Sequence, residues 1–101
     1  MLNLLAPVRL LDAGQRDGVL RGRSGEFSFE ARLARAEVSY GLDPETLYKG
    51  YGRVVRLVLY RPAGPEGIEL KVAAFDRGWL YGRKRHLQAI RRIVSYLERT
   101  H

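Results

Sequence analysis

The clearest periodicity in the chain runs from Glu26 to Arg35. Phe27, Phe29, Ala31 and Leu33 alternate with Glu26, Ser28, Glu30 and Arg32. A period of two puts the apolar set on one face of a strand and the charged set on the other. Ile68 to Phe75 repeats the pattern, with Ile68, Leu70, Val72 and Ala74 against Glu69, Lys71, Ala73 and Phe75. Between them, Arg53 to Tyr60 is β-branched and apolar on both parities, which fits a central strand or one with both faces covered. The breaker-rich Pro62-Ala63-Gly64-Pro65-Glu66-Gly67 joins the last two into a long hairpin. Earlier, Val8 to Leu11 is a short apolar stretch. Gly14 and Gly18 bracket a turn through Gln15-Arg16-Asp17, and Val19 to Arg23 reads as a weaker strand closed by Ser24-Gly25.

Two segments depart from the strand period. Asp43-Pro44-Glu45-Thr46-Leu47 carries helix-start chemistry, with Asp as N-cap and Pro at the first helical position. Gly50 and Gly52 follow closely, so a single turn is expected. From Lys84 to Arg99 the apolar positions Leu87, Ile90, Ile93, Val94 and Leu97 form one helical stripe, opposite Lys84, Gln88, Arg91, Ser95 and Arg99. The expectation is an α+β domain over residues 1–101: a single antiparallel sheet of four to five strands with one C-terminal amphipathic helix packed on it. Phe27, Phe29, Leu33, Val55, Leu57, Leu59, Ile68, Leu70 and Val72 would meet the helix. Val54, Val58, Tyr60 and Phe75 would lie on the second sheet face.

Composition narrows the chemistry. The 101 residues contain no cysteine, which excludes disulfides, cysteine-ligated metals and thiol nucleophiles. No apolar run reaches the ~20 residues of a membrane-spanning helix. The N-terminus lacks a basic leader, so a cytoplasmic protein with no membrane partner is expected.

Charge changes the picture more. The formal net charge is +7, and its distribution is uneven. Residues 1–76 hold 11 basic and 10 acidic groups, whereas residues 77–101 hold seven basic groups and only Glu98 as an acid. Arg83-Lys84-Arg85-His86 puts cations at a helix start, where the macrodipole favours acids. A locally unfavourable choice points to another use, such as holding phosphates. Arg91, Arg92 and Arg99 continue the basic face, and Tyr40, Tyr48, Tyr51, Tyr60, Tyr81, Tyr96 and Trp79 supply aromatic surface of the kind single-strand binders use.

Three blocks stand out together: Ser39-Tyr40-Gly41-Leu42, Gly52-Arg53-Val54-Val55-Arg56-Leu57 and Ala73-Ala74-Phe75-Asp76-Arg77-Gly78-Trp79. In this order they resemble a small uncharacterised domain family of bacterial and phage proteins, over about Phe27 to Trp79. The family has no established activity, so the resemblance implies a sheet-rich small domain and points to no function. The stretch Asp43 to Tyr51 is longer than the family's connection, and Val55-Arg56 replaces a more polar pair.

Asp76-Arg77-Gly78-Trp79 reads best as a turn, with Gly78 at positive φ, Asp76 capping backbone and Trp79 plugging the core end. His86 and His101 form no metal-ligand set, and no phosphate-binding glycine loop or Ser–His–Asp set is present. The reading is a non-enzymatic nucleic-acid-binding or accessory protein, without cofactor, metal or catalytic residues. Its nucleic-acid or other polyanion partner would meet Arg77, Arg83, Lys84, Arg85, Arg91 and Arg92, beside Trp79 and Tyr81. The alternative is a homodimer or other interaction module, joined through the second sheet face at Val54, Val58 and Tyr60.

Overall fold

The computed structural model describes residues 7–14 and 17–100. The apolar opening at residues 1–6, the Gln15-Arg16 part of the first turn and His101 lie outside the described residues. Six strands run β1 (Val8–Ala13), β2 (Leu20–Ser24), β3 (Phe27–Leu42), β4 (Lys49–Pro62), β5 (Glu69–Asp76) and β6 (Trp79–Tyr81). They form one antiparallel sheet in sequence order, β1-β2-β3-β4-β5-β6, so β1 and β6 are its edges. A 3-10 turn over Lys84–His86 then leads into the single helix α1 (Leu87–Thr100). The radius of gyration is 12.7 Å.

The α+β architecture matches expectation, but the sheet has six strands rather than four to five. The additional strand, β6, is three residues long, too short to show a period. The helix also starts later than its stripe suggests. Gly82, at φ +87°, passes so close to the Val72 carbonyl that a methyl there would collide with it, and Arg83 to His86 makes a tight turn before α1 begins. No acid stands in the first turn of α1.

The sheet buries one face against α1. Ile90, Ile93, Val94 and Leu97 are fully buried against Phe29, Ala31, Val54, Leu57, Leu59 and Phe75. Each large side chain buried there contributes ~1.5–3 kcal/mol before ordering entropy is subtracted. The Glu98 carboxylate accepts a hydrogen bond from the Arg53 backbone N–H at 2.8 Å, joining the helix end to β4.

Bulges decide which residues face the helix, and here the simple alternation fails. Arg32 pairs with Arg56 but Leu33 pairs with Val54, so Val55 is an extra residue on β4. Val54 and Leu57 therefore share the core face despite a spacing of three, which explains why β4 reads as apolar on both parities. A second bulge sets Leu59 opposite Ala73 but Tyr60 opposite Lys71, leaving Val72 extra on β5. Phe75 thus lies in the helix-side core, while Ile68 and Leu70 are exposed beyond it. Val55, expected on the helix-facing side, is the bulged residue.

The other face carries a polar network. The Tyr60 hydroxyl donates to Glu30 at 3.1 Å, and the Ser28 hydroxyl donates to Glu69 at 2.7 Å. Arg21 makes ion pairs with Asp12, Asp17 and Glu30 at 3.1–3.3 Å, tying β1, its turn, β2 and β3 together. Hydrogen bonds from the Val19 backbone and Arg21 hold the Asp17 carboxyl below its usual range. The apolar second-face patch expected at Val54, Val58 and Tyr60 is absent: Val54 belongs to the core, Val58 is 4% exposed and Tyr60 is bound to Glu30.

Candidate nucleic-acid interface

The basic C-terminal groups are placed by two turns that the sheet brings to the helix start. The first is Asp43 to Leu47. The Asp43 carboxylate accepts from the backbone N–H groups of Glu45 at 2.8 Å and Thr46 at 3.3 Å, and the Leu47 N–H donates to the Asp43 carbonyl at 2.8 Å. The turn goes no further because Leu47 adopts φ +60°. Its side chain is fully buried, which holds it in a conformation leucine rarely takes.

Arg83 closes over this turn. Its Nε donates to the Leu47 carbonyl at 2.8 Å and its Nη2 to the Thr46 carbonyl at 2.8 Å, while the guanidinium carbon lies 3.5 Å from the centroid of the Tyr48 ring. Trp79 donates its indole N–H to the same Leu47 oxygen at 2.7 Å and packs edge-on against Phe75, with ring centroids 5.3 Å apart. The core-plug role expected of Trp79 is what the packing shows. As a pair, Trp79 and Arg83 are turn clamps before they are anything else.

The remaining predicted residues separate. Arg91 reaches the β3–β4 turn, donating to the Glu45 carbonyl at 3.1 Å. Arg92 reaches the β2–β3 turn, where its Nε donates to the Ser24 hydroxyl at 3.1 Å, and partial burial lowers its affinity for a proton. Arg77 sits at the β5–β6 turn with its guanidinium 5.4 Å from the Tyr40 ring centroid, and it lines neither hollow described below. That turn differs from expectation: Arg77 (φ +58°) precedes Gly78 (φ +154°) in the positive region. No hydrogen bond to the Asp76 side chain occurs among the described residues; only its backbone N–H closes the turn, onto the Gly78 carbonyl.

Lys84 and Arg85 are different. Both are exposed, and among the described residues neither makes a hydrogen bond or ion pair. They form a ridge between two hollows and line both. On one side a cleft of about 580 Å³ is completed by Glu26, Phe27, His86 and Arg92. On the other an aromatic hollow of about 430 Å³ is completed by Tyr48, Trp79, Leu80 and Tyr81.

The field along the ridge is positive. Arg83, Arg91 and Arg92 donate to carbonyl or hydroxyl oxygens, which satisfy their N–H groups without cancelling charge. Every salt bridge among the described residues involves Arg21, remote in sequence from the basic tail. His86 reports the field: burial, followed by the nearby Arg61 and Arg85, pushes its proton affinity down, with Glu26 opposing. Its ring stands edge-on to Phe27 with centroids 5.3 Å apart.

Arg61 and Leu80 are residues that the sequence reading missed. Arg61 follows Leu57 and Leu59 on the inward parity of β4, so a cation appears where alternation calls for an apolar side chain. That break was a readable signal. Leu80 is the extra residue of a bulge between Trp79–Phe75 and Tyr81–Ala74, and no local pattern marks it.

Among the described residues, no group of three or more His, Asp or Glu side chains is placed to hold a metal, and no helix is long and apolar enough to cross a membrane. Comparison with protein-family models, with curated proteins and with solved structures found no match.

Proposed function

We propose that the protein is a nucleic-acid-binding protein without catalytic activity of its own, which meets phosphates along the Lys84–Arg85 ridge. The observation that carries this reading is that two adjacent, exposed cations have no partner among the described residues at the point where the neighbouring guanidiniums of Arg83 and Arg92 keep their charge. Arg61 adds to the same field from β4. A positive surface of this kind draws polyanions and speeds their encounter. Nucleic acid is favoured over a merely basic surface because the cations lie where helix start and charge oppose each other, a local cost that a phosphate removes.

The test is binding of fluorescently labelled oligonucleotides across a salt series. Affinity is expected to fall steeply with salt, with a slope of about −0.7 to −0.9 per phosphate engaged. The double variant Lys84→Glu/Arg85→Glu should lower that slope by about 2, since each phosphate contact removed reduces it by about 1. No retention of any oligonucleotide by the native chain at low salt would dispose of the reading.

A further inference from the structure

The aromatic hollow indicates which form of nucleic acid fits. We infer that the ridge takes a single strand, with bases lying against Tyr81, Leu80 and Tyr48 while the phosphates rest on Lys84 and Arg85. This rests on the nucleic-acid reading above and narrows it.

Three observations favour a single strand. First, the hollow exposes large apolar side chains: Leu80 is 66% exposed, Tyr48 54% and Tyr81 46%. Its volume of about 430 Å³ lies inside the ~300–1,000 Å³ typical of ligand sites. A duplex keeps its base faces stacked inside and presents phosphates and groove edges, so it has nothing to offer such a surface. A single strand has free π-faces, and aromatic side chains beside a positive track are what hold them.

Second, the charge around the hollow is one-sided. Arg83, Lys84 and Arg85 line it and no carboxylate does, whereas the cleft across the ridge contains Glu26. An apolar protein segment would gain nothing from those cations; a strand that alternates phosphate and base uses both features at once.

Third, one wall of the hollow is held in place before any ligand arrives. Arg83 is held by two backbone carbonyls and lies over the Tyr48 ring, and Trp79 is held by the Leu47 carbonyl. Side chains fixed in this way lose little freedom on binding.

The experiment compares a labelled single strand with its duplex, and uses inorganic polyphosphate as a competitor carrying phosphates but no bases. The native chain should bind the single strand more tightly than the duplex. Tyr81→Ala should weaken single-strand binding by roughly 5- to 150-fold, the range for loss of one stacked base. Tyr81→Phe should retain it, and polyphosphate binding should be unchanged in both. Leu80→Ser, at a still more exposed position, provides a second variant, and thermal melting checks that each remains folded. Equal affinity for strand and duplex, with Tyr81→Ala unchanged, overturns the single-strand inference and leaves the nucleic-acid reading standing. Failure of the native chain to bind either form overturns both.

Discussion

The indole N–H of Trp79 donates to the carbonyl oxygen of Leu47 at 2.7 Å, across 32 positions of sequence. That oxygen also accepts from Arg83 at 2.8 Å. One carbonyl on a strained turn thereby fixes the end of the sheet and the approach to the helix. Trp79→Phe keeps an aromatic ring but removes the donor together with part of the indole. It should cost at least about 1 kcal/mol in chemical denaturation, the net worth of an ordinary hydrogen bond with Arg83 still satisfying the oxygen, to which the lost packing against the core adds. Leu47→Ala should cost more, ~2–5 kcal/mol, because it empties a fully buried site without relieving the positive φ.

Gly41 and Gly52 let the backbones of β3 and β4 approach where a side chain would not fit. A methyl on Gly41 would meet the Gly52 carbonyl, and one on Gly52 would meet the Leu42 carbonyl. Both obstacles are backbone, so neither can rotate away. Gly41→Ala and Gly52→Ala should each destabilise by about 3 kcal/mol or more, in the severe tail for single substitutions. An unchanged thermal midpoint in either variant would show that the two strands can part without loss.

His86 makes stability depend on mildly acidic pH. Its folded-state proton affinity lies below the ordinary value of 6.5, through burial and then Arg61 and Arg85, with Glu26 partly offsetting. The neutral ring is therefore the form the fold prefers. Its contribution is fully present above 6.5 and is lost as pH falls through the lower folded value. Thermal midpoints should decline below that point in the native chain and decline less in His86→Gln. If phosphates occupy the ridge, they raise the affinity of His86 for a proton, so oligonucleotide binding at mildly acid pH should take up protons. Calorimetry in buffers of different ionisation enthalpy reads that uptake directly.

Tyr60 imposes the opposite limit. Burial and the hydrogen bond to Glu30 raise its ionisation above the usual 10.0. The protonated hydroxyl stabilises the fold fully below 10.0, and that contribution is lost as pH climbs through the raised value. Ultraviolet titration should show a late-ionising component that is lost in Tyr60→Phe. The same variant should lose about 1 kcal/mol at neutral pH, with Glu30 still held by Arg21.

The sequence by itself determined the class of architecture, an antiparallel sheet followed by one helix, and the charge. Phe27 to Leu33 declare a strand because a pleat exposes alternate side chains. Leu87 to Leu97 declare a helix because 3.6 residues per turn gathers them on one stripe. The concentration of arginine and lysine after residue 76 needs no fold to be seen. Tertiary structure decided the rest, because bulges and turns are set by contacts with partners far along the chain. An extra residue at Val55 moved Val54 to the core, and another at Val72 did the same for Phe75. Long-range carbonyl acceptors turned Arg83 and Trp79 into clamps and drew Arg91 to the β3–β4 turn, while the Ser24 hydroxyl drew Arg92 to the β2–β3 turn. Lys84 and Arg85 found no partner among the described residues, beside a hollow whose walls come from β6 and the β3–β4 turn. Local periodicity records which side of its own element a residue occupies; it carries no information about which distant oxygen will take up its hydrogen-bond donors.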